Sequence, residues 1–553
     1  MHSFKMISES ILYLRKYGHI ILLIFICCFG FVLRIYRLDS RSIWVDETFS
    51  LFESTGQGQD MDNFLNAENV GTGLKKTAPL PSGRYLSFLK YNPNRGLRDV
   101  LISILKTDTQ PPLYFFIMHL WIKYFGDTLF SIRLFSVVCG IISIICAFFI
   151  TCILFGRMAG LFSALFIAVS PFAVFYSREA RHYSLILAIT LLSNYFLIKF
   201  QKEDRKVFLI GFIIATALGL YIHYFYTFVL LAQVIYFLLR KFTPEKKNTF
   251  YVAFSISLLL YLPWILAVLR YGYNFKLTEW VFGHPTNIAE IIRTILAKLM
   301  LFFSVLDKKI YAYYVILNYS LVICLLLLAG KILFGFKKEL LLFTIAFFLP
   351  ITSMAFLVLV EGGTLLMQER YYTFAFAALV PFTGYALSSC TNRVAYKVIV
   401  IFLFLVLIMS SLLVVNGFAL RDLSTPRTKN VAFWINEESR REKSIVVIFN
   451  RRAHIMPLVY YLDKDILIAP INDEIELKDI TRYLASIDNI FIIQPEFKLI
   501  DSYALEKSFS IPEFLQMGFV LKEEREFGSD SIKVIKLSSV NAINSNKQQQ
   551  TQK

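Results

Sequence analysis

The chain has no cysteine outside its apolar stretches, no glycine-rich phosphate loop, no His/Cys spacing of a metal site and no internal repeat. All seven cysteines (Cys27, Cys28, Cys139, Cys146, Cys152, Cys324, Cys390) lie in apolar runs. That excludes a disulfide framework or zinc module and leaves them as small core residues. Acidic residues are scarce, 40 against 57 lysines and arginines, for a formal net charge of +17. Such an excess can serve nucleic acid, but here the bases fall in short loops between apolar runs, as orientation signals do. Nucleic acid is therefore not the expected partner; membrane lipid and a lipid phosphate are.

What is present is apolar: 56% of the 553 residues are hydrophobic, 54 of them phenylalanine, a composition that belongs to a polytopic membrane protein. Lys5, Arg15 and Lys16 precede the first apolar run and place the N-terminus in the cytoplasm. That run is long and lacks a small-residue cleavage pattern, so it reads as a retained anchor. Residues 39–129 form a large outer loop. It contains the run Pro111–Phe125, too short for the roughly 20 residues of a span and so expected as a surface helix opened by Pro111 and Pro112. With that choice nearly every inward loop is basic, including 201–206, 240–247 and 392–397. Expected spans are 19–36, 130–155, 158–175, 183–200, 207–222, 225–240, 250–269, 311–331, 340–359, 371–389 and 396–418. That is about eleven, or thirteen should the outer segment 270–310, with its amphipathic piece 288–306, cross the bilayer.

The pattern turns soluble after about Ser424. Strand-like Ser444–Phe449, 466–469 and 489–493 alternate with helical 430–440 and 475–485, a small extracytoplasmic α/β domain over 424–537. The membrane domain is then 1–423, and 538–553 is a polar low-complexity tail expected to be disordered.

On this topology the outward polar groups converge. They are Asp46 and Glu47, Asp108 before Gln110-Pro111-Pro112, the stretch Tyr176-Ser-Arg-Glu-Ala-Arg-His-Tyr183, the segment 221–226, and Glu361 with Gln368-Glu-Arg-Tyr-Tyr372. Ionisable groups at a membrane boundary are costly unless paired or used. Arg34, Arg37 and Trp44 are equally well read as snorkelling or interfacial anchors, whereas carboxylates such as Asp46 do not anchor to headgroups. Glu47 has an alternative as the partner of Arg34 or Arg37, and Arg181 as that of Glu179. His119, His182 and His223 lie among aromatics and read as packed residues. The chemistry that suits the set is transfer of a sugar from a lipid-phosphate donor, with guanidinium forks for the phosphate and a carboxylate to take the acceptor's proton.

Trp44 shortly before Asp46-Glu47, then Pro111-Pro-Leu-Tyr leading to Tyr124-Phe-Gly126, then Ser131-Ile-Arg133 and Tyr176–Ser184, together resemble the GT-C membrane glycosyltransferases. The likeness is to the bacterial family 39 and 83 group, which is similar to protein O-mannosyltransferases and the lipid A aminoarabinose transferase. It covers residues 15–420 in architecture, with diagnostic motifs in 31–185. The resemblance implies a GT-C-like fold and an inverting transfer from a polyprenyl-phosphate sugar to a lipid, glycan or protein acceptor, at the outer face of the cytoplasmic membrane and without a metal or other cofactor. It assigns Asp46 as general base with Glu47 beside it, Arg178, Arg181 and Arg370 to the donor phosphate, and Asp108, Glu179 and Tyr183 to substrate. Relatives carry an acidic-lysine pair before the surface-helix proline. Here Gln110 stands there, and Asp108 is expected to replace part of that role. A transporter or flippase, or a glycan polymerase or ligase using the same carrier, is the alternative. A transporter should show internal pseudo-symmetry or mid-span charge, and neither is seen.

Overall fold

A computed structural model of the chain describes residues 2–66, 79–107, 110–272, 287–305, 321–327, 337–389, 394–417, 428–440, 442–449, 452–471, 486–495, 519–527 and 532–539, with short pieces at 69–70, 74–75, 329–330, 483–484 and 514–515. The expected helix 475–485 apart from residues 483–484, the first half of the expected span 311–331, Asp108 and residues 540–553 of the tail lie outside them; Ser538 and Ser539, expected in that tail, end a strand instead. The chain packs as two compact units. One comprises Met1–Ser40, Asp108–Trp121 and Thr128–Leu420, the other Arg41–Thr107, Ile122–Asp127 and Arg421–Lys553.

The first unit is helical. Among the described residues six helical segments are long and apolar enough to cross a bilayer: Tyr17–Ile35, Leu129–Phe155, Tyr183–Glu203, Pro244–Tyr271, Lys338–Glu361 and Val394–Val415. Arg157–Val169, Lys206–Ile222 and Tyr226–Leu239 are apolar but shorter, and Thr373–Ser389 adds 17 residues. Leu113–Phe125 is a helix of 13 residues, about 20 Å at 1.5 Å per residue and short of a hydrocarbon core of about 30 Å. Ile288–Met300 is a separate helix of 13 residues. Large side chains such as Phe25, Leu259, Leu269, Phe356 and Val394 are exposed on the long helices, a surface that lipid rather than water would cover.

Inside the unit, small residues and aromatics divide the packing. Gly384 brings the Thr373–Ser389 helix onto Arg157–Val169 so closely that a Cβ there would lie 2.1 Å from Ser163 Oγ and 2.5 Å from the Ala159 carbonyl. The Ser163 hydroxyl crosses the same contact to donate to the Val380 carbonyl at 3.0 Å; close approach of this kind drives helix association in lipid. Phe172, Phe302 and Phe376 form a ring cluster with centroids 4.9 to 5.0 Å apart.

The second unit is built around a six-stranded mixed sheet in the order Leu80–Pro81, Leu467–Ile471, Ser444–Phe449, Asn489–Pro495, Ile532–Ser539, Phe519–Phe527. The three central strands are parallel, with Ile445 opposite both Leu467 and Ile490. Their β-branched residues Ile445, Val447, Ile490 and Ile492 make a core with Ile535 and Leu537 of the next strand. The last two strands form an antiparallel hairpin that the sequence reading did not contain. One edge strand, Leu80–Pro81, comes from the long loop after the first helix and pairs antiparallel with Leu467–Ile471. Ser82 N–H and Gly83 N–H then donate to the carbonyls of Ile466 and Lys464 at 2.8 and 3.0 Å, and Tyr461 Oη accepts from Ile43 N–H at 2.8 Å. Leu80 and Pro81, from the expected outer loop 39–129, thus share a sheet with the C-terminal strands.

Candidate functional site

In the helical unit the chain between two helices runs through the interior. The helix Arg157–Val169 stops at Ser170, whose extended backbone (φ −68°, ψ 127°) precedes Pro171, as residues before proline do. The proline opens the short helix Pro171–Tyr176. A turn follows, and the helix Tyr183–Glu203 starts with His182 at its N-cap. Every residue from Pro171 to Ser184 is buried. Loops normally run over surfaces; this one, carrying Arg178, Glu179, Arg181 and His182, is tied inside. Ser184 Oγ donates to the Tyr176 carbonyl at 3.0 Å, Ser177 Oγ to Ala173 at 2.6 Å, and Arg181 N–H to the Glu179 carbonyl at 2.8 Å.

The two outer arginines of the motif differ in what they meet. Arg178 donates from one terminal nitrogen to the carbonyls of Arg34 and Tyr36, each at 2.7 Å, and from the other to Arg37 at 3.0 Å. Arg34 stands in the last turn of the first helix, which ends at Ile35, and Tyr36 and Arg37 follow it, so the guanidinium caps a helix C-terminus, where cations are favoured. It also holds Arg37 in a left-handed conformation (φ 50°) that a non-glycine residue adopts at a cost. Arg34, read from sequence as a snorkelling anchor or partner of Glu47, is fully buried. It binds the carbonyls of Gly30, Ala168 and Ile167 at 3.0, 2.8 and 2.8 Å, fastening the end of Arg157–Val169 to the first helix. The snorkelling reading of Arg34 is corrected accordingly: the side chain turns toward orphan carbonyls rather than toward water.

Arg181 meets a different environment. Both it and Arg370, from the turn Glu369–Tyr372, lie close enough to His182 and His223 to depress the pKa of each imidazole. The rings of His182 and His223 are 4.8 Å apart. Tyr183 packs 4.4 Å from His182, and Tyr371 and Phe374 pack 6.2 and 5.7 Å from His223. Burial is the first cause of the depression, pushing His223 down to about 3 and His182 well below its ordinary value; the arginines add to it. Among the described residues no carboxylate contributes in the opposite sense to either group, and Glu369 is paired with Lys298 at 2.5 Å. The Tyr183–Glu203 helix also points its positive end at His182. What gathers here is a buried cluster of two arginines and two histidines with aromatic neighbours, on a loop that also buries Glu179. Along the chain each histidine stands alone among aromatics; their pairing is a tertiary fact. Among the described residues no group of three or more His, Cys, Asp or Glu could hold a metal ion.

The acids Asp46 and Glu47 are in the other unit, in the first turn of the helix Val45–Ser54. Glu47 is fully buried and its carboxylate accepts from Trp44 N–H at 3.3 Å, the returning half of a capping box. Asp46, half-buried, is one residue nearer the helix start. Seven residues on, and so on the same face of the helix, the carboxylate of Glu53 is fully buried and accepts from the hydroxyls of Ser103 and Thr107 on the helix Leu97–Thr107. Ser103 Oγ also takes Gly58 N–H at 3.0 Å. Glu53 thereby fixes the rotation of the helix that carries Asp46. The sequence reading missed it because an isolated glutamate within Leu51-Phe-Glu-Ser54 carries no spacing signal.

The family model described as dolichyl-phosphate-mannose-protein mannosyltransferase matches residues 109–267, a stretch that contains the buried loop and His223. By sequence alone no curated protein matches. By fold, the crystal structure of ArnT from Cupriavidus metallidurans in the apo state aligns over 94% of this chain and 98% of its own, with a TM-score of 0.53 and 11% identity. The same protein bound to undecaprenyl phosphate gives 0.53 and 12% over the same shares. The oligosaccharyltransferase AglB from Archaeoglobus fulgidus, in complex with an inhibitory peptide and a dolichol-phosphate, has a TM-score of 0.48 at 12% identity and covers 87% of this chain and 70% of that one. The chain is a multi-pass helical membrane protein with the ArnT-like, GT-C-type fold and a small C-terminal sheet domain. In family profile and in fold it resembles the GT-C membrane glycosyltransferases.

Proposed function

We propose that this protein is an inverting glycosyltransferase. It moves a sugar from a polyprenyl-phosphate-linked donor to a lipid, glycan or protein acceptor at the outer face of a bacterial-type cytoplasmic membrane. The observation that carries the reading is the buried loop 171–184 with two arginines beside its histidine. Arg181 and Arg370 surround two neutral imidazoles, and such a locus in a low-dielectric bundle favours a phosphate, which accepts several charge-assisted hydrogen bonds. The undecaprenyl phosphate bound to ArnT, whose fold this chain shares, supports a lipid-borne phosphate as that anion.

In this mechanism Arg181 and Arg370 hold the donor phosphate and stabilise the charge that grows on it as the glycosidic C–O bond breaks. Asp46 takes the proton of the acceptor hydroxyl as that oxygen attacks the anomeric carbon from the opposite face, which inverts the configuration. Glu47 caps the helix that presents Asp46. Arg178 keeps the first helix and the buried loop in register, Tyr183 and Tyr371 offer ring faces to the sugar, and Glu179 and Asp108 complete the substrate contacts. The test is transfer of labelled sugar from a polyprenyl-phosphate donor by membranes containing wild type, Asp46→Asn or Arg181→Ala at equal expression. Loss of transfer in Asp46→Asn with donor binding retained supports the assignment; wild-type transfer by Asp46→Asn overturns it.

A further inference from the structure

The histidine pair has no part in the reaction as written, yet it is the most unusual feature of the buried loop. His182 is 2% exposed, and its Nε2 has no hydrogen-bond partner among the described residues. A buried polar nitrogen left unpaired is costly and calls for an unseen partner. Its ring is held from several sides: against His223 at 4.8 Å, Tyr183 at 4.4 Å and Tyr114 at 5.9 Å. His223 is oriented in turn, because its Nδ1 accepts from Phe225 N–H at 3.0 Å, which leaves the proton on the other ring nitrogen. The groups with electrostatic reach of His182 are His223, Arg181 and Arg370. All are cationic or neutral, so with the ring proton on Nε2 the missing partner is an acceptor.

We propose that His182 is a ligand-binding residue whose Nε2–H donates a hydrogen bond to the phosphate held by Arg181 and Arg370. This deepens the reading above and rests on it. The ligand class is a phosphate ester, and the lipid-linked head and free inorganic phosphate share that chemistry. A neutral donor near two guanidinium groups adds direction without a third positive charge. It favours a phosphate oxygen in one orientation and so sets how the donor's glycosidic bond is presented.

The experiment uses the full chain in nanodiscs, with undecaprenyl phosphate and inorganic phosphate as probes. His182→Phe keeps the ring packing and removes the nitrogen. Affinity for undecaprenyl phosphate should fall about ten- to a hundred-fold, the usual worth of a hydrogen bond to a charged group. His182→Gln, whose amide reaches the position of Nε2, should stay within about threefold of wild type. Arg181→Ala separates the two claims. If it binds as wild type does, the phosphate reading itself fails; if it loses binding while His182→Phe does not, the His182 assignment alone is overturned. Should His182→Phe fail to fold, the 15N resonance of His182 Nε2 in the wild type decides, identified by its loss in His182→Gln. A shift on adding either probe supports the hydrogen bond, with the two probes distinguishing head-group from lipid dependence. No shift with either overturns it.

Discussion

Replacing Arg178 by alanine separates a ligand from a cap. The guanidinium makes bonds of 2.7, 2.7 and 3.0 Å to the carbonyls of Arg34, Tyr36 and Arg37. Hydrogen bonds to charged groups are worth about 1.5–3 kcal/mol each. Tyr36 and Arg37 are exposed, so water can replace the lost donor at their carbonyls and most of that worth is recovered. Arg34 is fully buried, and its carbonyl loses the interaction outright. Any strain of Arg37 at φ 50° is released rather than added when the bond goes, so the Arg34 carbonyl and the remainder from the other two set the cost of Arg178→Ala at about 2–4 kcal/mol. At about 2 °C per kcal/mol that lowers the midpoint of thermal unfolding by about 4–8 °C. Arg178→Lys, a point charge on a single stem, should recover less than half of this. Measured per folded molecule by titration in nanodiscs, undecaprenyl-phosphate affinity should change less than threefold in both variants. An unchanged midpoint together with lost binding would refute the reasoning and return Arg178 to the phosphate.

Four further outcomes follow from the same geometry. Glu47→Gln keeps an acceptor for Trp44 N–H, so its turnover should remain within a few-fold of wild type, whereas Asp46→Asn should lose about 10²–10⁴-fold in labelled-sugar transfer. Gly58→Ala would place a Cβ 2.3 Å from Ser103 Oγ and 2.8 Å from the Glu53 carboxylate; it should lower the thermal midpoint and slow transfer, because the helix bearing Asp46 loses its fastening. His223, depressed to about 3, binds its proton more readily unfolded than folded, so stability should be complete above about pH 6.5 and decline as pH falls from there toward 3. At 1.36 kcal/mol per unit that is about 2 kcal/mol by pH 5, and His223→Gln should flatten this part of a midpoint-against-pH curve. Bound phosphate adds a negative charge beside the same imidazoles and should make that curve shallower in wild type.

Much of the helical unit was legible because a membrane span declares itself by length. The run Leu129–Phe155 could be little else, and the proline-led run ending at Phe125 was too short to be one. Legibility failed where partners are distant. An arginine at the end of an apolar run looks the same whether it reaches for water or for the carbonyls of another helix, and Arg34 does the latter. The buried loop's charges were visible as a motif, but the histidine pair was not, since His182 and His223 meet only after two helices have folded back. In the C-terminal part the parallel strands announced themselves by β-branched runs such as Ser444–Phe449. The hairpin strand Phe519–Phe527 is mostly charged and largely exposed, so it offered no apolar alternation to read. The edge strand Leu80–Pro81 has two residues and gains its identity from a partner far along the chain.

That edge strand has a consequence for biosynthesis. The Ser82 hydroxyl donates at 2.6 Å to the carbonyl of Asp463, 381 residues later. At a synthesis rate of about 5–20 residues per second, the early loop waits about 20–80 s for the strand that completes its sheet. During that interval an unpaired edge and the half-buried Asp46 turn are open to chaperones and proteases. A nascent chain arrested before residue 467 should therefore be cut within residues 41–107, and the finished chain should not.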